Sequence, residues 1–460
     1  MIQKCNILIP FILLCVQLQA QQVSGCFPAY AGQEVSLSVY KGFAAEEVAQ
    51  ATAGSGGKFT LPYPSDYTGA AFLRFGSAGG IEVLLNSGQQ SFEVRGTSLM
   101  DVDSLQCEGN VQTQTLYTYY KDQQSRERAL MGWKYLGKTY RDVPYLRKQK
   151  EGKLISREIR ELEKEKESFI RHQGKESYLG WYLPLVSQVR DIPVSVQRYP
   201  ERIPEHIRFF MHTDFSDERF YHSGLLPVLM DNYYFMLENM GKTMDSMYVE
   251  MNRATDYVLG NLEAKKPEWV EGAAVYLFKL FEKRSLFAAA EHLSLAVLDQ
   301  PNVQLSSDAR NRFEGYRAMK RGNRAPDIDF TEAGNEKKYL KGYTSLSGMG
   351  GKYKLVIFGE SGCAECRSQI EKIRQMYPAL QEHGIEVVYV SLDTDRKEFE
   401  QAAEGYPWAG YFDGKGWDSR PVKDYHVFAS PTVYLLGEGL DILYKVVSPA
   451  HLEAIVKELK

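Results

Sequence analysis

At 460 residues the chain is long enough for several domains, and 44% hydrophobic with 25% charged residues is ordinary for a soluble globular protein. A formal net charge of −4 at pH 7 and a pI near 6.1 carry no basic signature, so nucleic acid is not an expected partner. Beyond the N-terminus, no apolar run reaches the ~20 residues that a membrane-spanning helix needs.

The chain opens with Lys4, an apolar run from Ile7 to Val16, and then Gln17-Leu18-Gln19-Ala20. This is the layout of a secretory signal: a basic start, a short apolar core and a small residue at the cleavage point. The run is too short to span a bilayer, so residues 1–20 are expected to be removed together with Cys5 and Cys15. Cys26, Cys107, Cys363 and Cys366 then remain, in the disulfide-permissive cell envelope. Cys26 has three readings. Val23-Ser24-Gly25-Cys26 looks like a bacterial lipobox, whose cysteine would be acylated and would hold the chain on a membrane facing the periplasm, although polar Gln17 to Gln22 separate it from the apolar core. A Cys26–Cys107 disulfide and an unmodified strand cysteine are the alternatives.

Residues 21–100 read as a small β-sandwich. Val35, Leu37 and Val39 alternate with polar neighbours, Gly54–Gly57 turns into Lys58–Leu61, and apolar runs at 71–75, 81–85 and 91–94 follow between glycine-rich turns. No catalytic constellation appears here, and packing or partner docking is the expected role. From Asp101 to Lys320 the period becomes helical, predicting an all-α domain. Leu154, Ile155, Ile159, Leu162, Phe169 and Ile170 form an apolar stripe, while the mixed charges from Arg157 to Glu167 line a solvated face. Further helices are predicted at 178–189, 205–211, 224–240, 244–259, 269–283 and 285–298, with joints at Ile192-Pro193, Tyr199-Pro200 and Lys266-Pro267. Aromatic clusters such as Phe209-Phe210 and Tyr233-Tyr234-Phe235 belong either to the core of these hairpins or to a surface that docks a client. His206, His212, His222 and His292 are scattered without ligand spacing, so they are read as structural.

The most informative stretch is Cys363-Ala364-Glu365-Cys366, where the apolar run Lys354–Phe358 gives way to a helix-patterned segment, Arg367–Tyr377. Two cysteines at this spacing can close a disulfide with each other or supply half of a metal site. No second C-x-x-C and no paired histidines accompany them, so the redox reading leads and neither metal nor cofactor is expected. A cysteine at the first turn of a helix faces unpaired N–H groups and the positive end of the dipole, which favour the thiolate, the species that attacks a disulfide. Cys363 is therefore the expected nucleophile. Cys366, one turn further in, would resolve the mixed disulfide. Downstream, Ser430-Pro431-Thr432 precedes a strand-like run, Val433–Leu436. A proline is tolerated at the first residue of a strand and can be cis there, a bend that would set the Ser430 backbone beside the dithiol.

On these residues the last third of the chain, 321–460, resembles the thioredoxin fold, and within it the TlpA-like and redoxin thiol-disulfide oxidoreductases. The resemblance is carried by Gly322, Ala325-Pro326-Asp327, Gly351–Phe358 leading into the dithiol, Val387–Leu392 with Asp393, Asp413, and Ser430-Pro431-Thr432. It implies a cis Pro431 that forms a substrate-binding surface with Ser430. It also implies a multidomain α+β chain of the kind found in Gram-negative envelope proteins: a small β domain, a helical domain and a C-terminal α/β thioredoxin-like domain. A helix near 398–404 and an aromatic loop at 406–417, inserted between Cys366 and Pro431, fit a TlpA-like domain better than a minimal thioredoxin. Trp408 and Trp417 are read as core, or as walls of a groove over the dithiol.

Departures from the family are equally specific. Gly362 stands where a tryptophan usually precedes the first cysteine, and Glu365 replaces the proline before Cys366, where its charge should oppose a neighbouring thiolate. Ile357 occupies the place of the buried acid of thioredoxins, which leaves Glu360 as a candidate proton relay or a plain surface residue. Val356 and Glu360 stand where peroxiredoxins need Pro and Thr, which disfavours a peroxidase. Two function classes follow. One is an envelope enzyme that reduces client disulfides, work that in this family includes cytochrome c maturation, with electrons from a membrane reductase. The other is a binding or scaffold protein with a redox-inactive thioredoxin-like module, favoured by Gly362, Glu365 and the long non-redox portion.

Overall fold

The computed structural model describes residues 21–89, 91–174, 176–331 and 339–459, so the expected signal segment lies outside the described residues. Strands come first: β1 Gln22–Cys26, β2 Glu34–Lys41, β3 Ala44–Thr52, β4 Lys58–Pro62, β5 Gly69–Phe75, β6 Gly80–Leu85, β7 Phe92–Arg95 and β8 Gln106–Glu108. They form two sheets, ordered β4-β1-β7-β8 and β3-β2-β5-β6. Val23, Leu61 and Val94 of one sheet and Leu37, Leu73 and Val83 of the other meet in a single core with Phe27, Phe59 and Phe75. That is a sandwich, built from the alternate burial that a period of two requires. β3 carried no sequence signal because it is an edge strand, acidic at Glu46 and Glu47 and exposed through its first half.

This register decides the fate of two cysteines. Cys26 pairs with Arg95 on the outward face of β1, whereas Cys107 pairs with Val94 on the inward face of β8. The thiols point to opposite sides of one sheet with β7 between them, and both are free. The anticipated alternative of a Cys26–Cys107 bridge is thus corrected: side chains on opposite faces cannot be joined without moving the backbone. Residues 23–25 also pair with β4 and β7 on either side. Cleavage ahead of Cys26 would remove most of this central strand, which counts against the lipobox.

The helices follow as α1 Val111–Asp142, α2 Pro144–Arg147, α3 Glu151–His172, α4 Tyr178–Arg198, α5 Ile203–Met211, α6 Glu218–Tyr221, α7 Leu225–Glu238, α8 Met244–Lys265, α9 Val270–Lys283, α10 Phe287–Leu298 and α11 Ser307–Ala318. Pro200 and Pro267 do mark joints, each opening a short 3-10 turn. Ile192-Pro193 does not, because α4 runs straight through it. Proline removes the donor that the Val189 carbonyl would have used, and Asn232 Nδ2 donates to that carbonyl instead, at 2.9 Å. His206 is fully buried, with Nε2 2.8 Å from Ser195 Oγ, a structural use. By compactness the chain falls into two units: residues up to His206 with Asp217–Tyr233, and Ile207–Ser216 with Tyr234 onward. Helices α8–α11 therefore share a unit with the C-terminal sheet.

That sheet is ordered β11-β10-β9-β12-β13, from β9 Tyr353–Gly359, β10 Ile385–Ser391, β11 Ala409–Tyr411, β12 Thr432–Leu436 and β13 Ile442–Val446. β9, β10 and β11 run parallel, and β12 and β13 complete the sheet antiparallel. One face is covered by α12 Ala364–Glu382, α13 Arg396–Ala403 and α15 Pro449–Glu458 through Ile370, Phe399 and Leu452. The other is covered by α14 Arg420–Asp424 and the segment around Ile328 and Leu346. β9 lies at the centre and is buried on both faces, which explains its unbroken apolar run.

Candidate functional site

β9 ends at Gly359, and the chain turns through Glu360–Gly362 into α12. Cys363 is the N-cap of that helix, and its Sγ accepts a hydrogen bond from the Cys366 N–H at 3.1 Å. The sulfur therefore satisfies one of the orphan donors of the first turn, at the positive end of the dipole. The turn is braced from the neighbouring parallel strand. Ser361 donates from its N–H and its hydroxyl to Asp393 Oδ1, at 2.8 and 2.9 Å, and Ser391 Oγ donates to Oδ2 at 2.7 Å. From the helix side, Arg367 Nη1 donates to the Ser361 carbonyl at 2.6 Å.

The two sulfurs sit in different surroundings. Cys363 is half-buried, whereas Cys366 is 0% exposed. Burial, followed by its hydrogen bond with Cys363, pushes the Cys366 thiol up to about 11, while the Glu360 backbone N–H and the Ser430 side chain draw it the other way. The Ser430–Pro431 bond is cis, as the resemblance implied. Thr432 pairs with Phe358, which sets Pro431 at the end of β9 from which the dithiol turn departs. Ser430 and Pro431 are half-buried, and Phe428 two residues before them is 41% exposed.

The remaining expected site residues fall into place less centrally. Glu365 is exposed and accepts from Gln369 Nε2 at 2.8 Å, on the solvent side of α12. Glu360 reaches the cysteines through its backbone, with its carbonyl accepting from the Cys363 N–H at 3.3 Å. A Cβ on Gly362 would meet nothing within 4 Å, so the turn before Cys363 has room for a side chain. Trp408 is 3% exposed, stacked on Tyr406 and edge-on to Tyr377, while Trp417 is 45% exposed in the Gly416–Asp418 turn. Trp408 and Tyr406 line a cavity of about 220 Å³ with Tyr339 and Lys341, and no residue of the dithiol turn lines it. Among the described residues, no three His, Cys, Asp or Glu side chains converge as metal ligands, and no helix is long and apolar enough to cross a membrane. Sequence reasoning noted Asp393 without a role and passed over Ser361 and Ser391. Their only signal was hydroxyls and a carboxylate at the C-terminal ends of two apolar strands, where open α/β sheets place their sites.

Residues 350–441 match the family model described as thioredoxin-like. The chain is 24% identical over 182 residues to the thiol-disulfide oxidoreductase ResA of Oceanobacillus iheyensis, covering 39% of this chain and 91% of that protein. The C-terminal part is a thioredoxin-like domain. Within that fold this chain is similar to a thiol-disulfide oxidoreductase. Similar solved structures include a thioredoxin-like protein from Bacteroides caccae, with TM-score 0.41 and 16% identity over 56% of this chain and 94% of that one. Another is the thioredoxin domain of a thiol-disulfide oxidoreductase from Bacteroides vulgatus, with TM-score 0.26 and 25% identity over 30% of this chain and 98% of that one.

Proposed function

We propose that this chain is a cell-envelope enzyme that reduces client disulfides with the Cys363–Cys366 dithiol. The observation that carries the reading is the asymmetry of the pair: a reachable sulfur at a helix N-cap, with its partner fully buried one turn on. Cys363 as thiolate attacks a client disulfide, forming one mixed disulfide and releasing one client thiolate. Cys366 then gives up its proton and attacks the Cys363 sulfur, releasing the second client thiolate. The domain is left with a Cys363–Cys366 disulfide. Two electrons pass to the client, and the Cys366 proton ends on a client thiolate. Ser430 and Pro431 hold the client strand. The oxidised pair must be reduced again by a second thiol system, for which a membrane reductase on the periplasmic side is the fitting donor. The periplasmic setting rests on the leader-like N-terminus.

The deciding experiment equilibrates the whole secreted chain against glutathione or dithiothreitol and maps the thiols by alkylation mass. A reversible two-electron couple at Cys363 and Cys366, more reducing than about −220 mV, is expected. A value near −120 mV would make the protein an oxidant of client thiols instead. Absence of a reversible couple would leave a binding protein whose redox module is inert.

A further inference from the structure

Release of the client by Cys366 lacks a helper. Cys366 must lose its proton in a buried place, and Ile357 stands where thioredoxins keep an acid for that purpose. Ile357 is not alone in that layer of the core. Its partner across the parallel register is Tyr389 on β10, and both pack in one cluster with Cys366. Tyr389 is 0% exposed, and its hydroxyl has no hydrogen-bond partner among the described residues. The Ser391 hydroxyl faces it but falls short of hydrogen-bond geometry. A buried hydroxyl without a well-formed hydrogen bond is costly to keep.

Gly359 locates that hydroxyl. A Cβ there would lie 3.2 Å from Tyr389 Cε2, 3.6 Å from Tyr389 Oη and 3.7 Å from Cys366 Cβ. Phenol and cysteine thus flank the same bare glycine. Tyr406 packs edge-on against the ring, with centroids 5.3 Å apart. The titratable groups around Cys366 are Cys363 on its own helix turn, Tyr389 from β10 and Tyr406 from the loop beyond α13, and Asp393 at the end of β10 faces the two tyrosines. Glu365 and Arg367, its neighbours on α12, point to solvent.

We propose that the Tyr389 hydroxyl stands in for the missing acid as a positioning residue, donating a hydrogen bond to the Cys366 thiolate as it forms. Burial keeps the phenol protonated, so it serves as a donor and not as a base. The proton of Cys366 leaves for the client thiolate freed in the first exchange. The O–H of Tyr389 then turns to the bare sulfur until that sulfur bonds to Cys363. No other reactant enters, and the electron count is that of the exchange itself.

The test follows resolution of the mixed disulfide across pH in the full secreted chain. Tyr389→Phe removes one unpaired oxygen and keeps the ring, so the fold should persist. Its expected effect is a rise of about one unit in the apparent Cys366 pKa, hence about tenfold slower release near neutral pH. The first attack by Cys363 should stay within twofold. Adding Ile357→Glu to Tyr389→Phe should return the release rate toward the starting value, a rescue that a packing role would not produce. A release profile that Tyr389→Phe leaves unmoved overturns the inference. Should Tyr389→Phe fail to fold, 3-fluorotyrosine at 389 strengthens the donor without changing its shape and should lower the Cys366 pKa, and no shift there overturns it equally. This inference rests on the reductase reading, and the two fail differently. An unsubstituted chain with no reversible couple ends both, whereas a cycling chain indifferent to Tyr389→Phe ends only the second.

Discussion

The molecule carries two pairs of cysteines, and their contrast shows what makes a dithiol. Cys363 and Cys366 lie one helical turn apart, where the helix itself brings the first sulfur to the backbone N–H of the second. Cys26 and Cys107 lie in one sheet of the sandwich, yet a strand intervenes and the alternation of side chains sends one thiol outward and the other into the core. Both pairs have one partly exposed and one buried member. Exposure therefore does not separate them. Direction does, because a disulfide needs Cβ atoms about 4 Å apart that point toward each other.

The two pairs differ most at the nucleophile. Cys363→Ser should take reduction of a model disulfide to background, a loss of about a thousandfold or more, while Cys26→Ser with Cys107→Ser together should stay within about twofold in the same assay. Cys366→Ser should leave the first attack intact and trap a mixed disulfide on Cys363, visible as a client adduct on a non-reducing gel. A Cys26 or Cys107 adduct appearing in its place would erase the distinction between the pairs.

The pH dependence sharpens it further. Cys366 and Cys107 are both raised by burial, to about 11 and about 12, from an ordinary value of 9.0. Each raised thiol favours the neutral form in the fold, so its contribution to stability is complete below pH 9 and is lost as pH climbs through 11 to 12. In the functional pair the same shift appears as a rate. Release of client by Cys366 should quicken about tenfold per pH unit below its pKa, while denaturation midpoints stay flat up to about pH 9. A release rate independent of pH between 7 and 9 would show that deprotonation of Cys366 does not limit the step.

Smaller effects test the frame around the dithiol. Asp393→Asn replaces a buried carboxylate that accepts three hydrogen bonds from serine side chains and the turn backbone, and it should cost about 1–3 kcal/mol in denaturant unfolding. Gly362→Trp enters open space, so stability should hold within about 0.5 kcal/mol. Reduction of a protein client should then change several-fold relative to a small disulfide, because the new ring roofs the approach to Cys363. Equal rates on both substrates would mean that the gap at Gly362 does not control access.

Much of the C-terminal domain was legible because its signals are local. Apolar Lys354–Phe358, the C-x-x-C and the helix pattern after it form one continuous stretch, and their elements appear as β9, the turn and α12. Ser430-Pro431 could be read as a bend ahead of a strand from the proline alone. The sandwich was legible through alternation at Val35–Val39 but not at β3, whose exposed edge carries no apolar rhythm. Pro193 misled for a related reason: the donor it lacks is compensated by Asn232, 39 positions away, and no local rule could find that partner.

Sequence alone determined where the reactive sulfurs stand, because two cysteines at this spacing on the first turn of a helix are placed by covalent geometry and the helical repeat. It also marked Gly362 and Ile357 as departures. Only the tertiary structure decided what surrounds them. Parallel pairing of β9 with β10 carries Tyr389, Ser391 and Asp393 to the dithiol from more than twenty residues away, and the register of the sandwich parts Cys26 from Cys107. Register shifts every side chain by a whole face for one residue of slip. Long-range pairing therefore settles which polar groups meet, and spacing along the chain is silent about it.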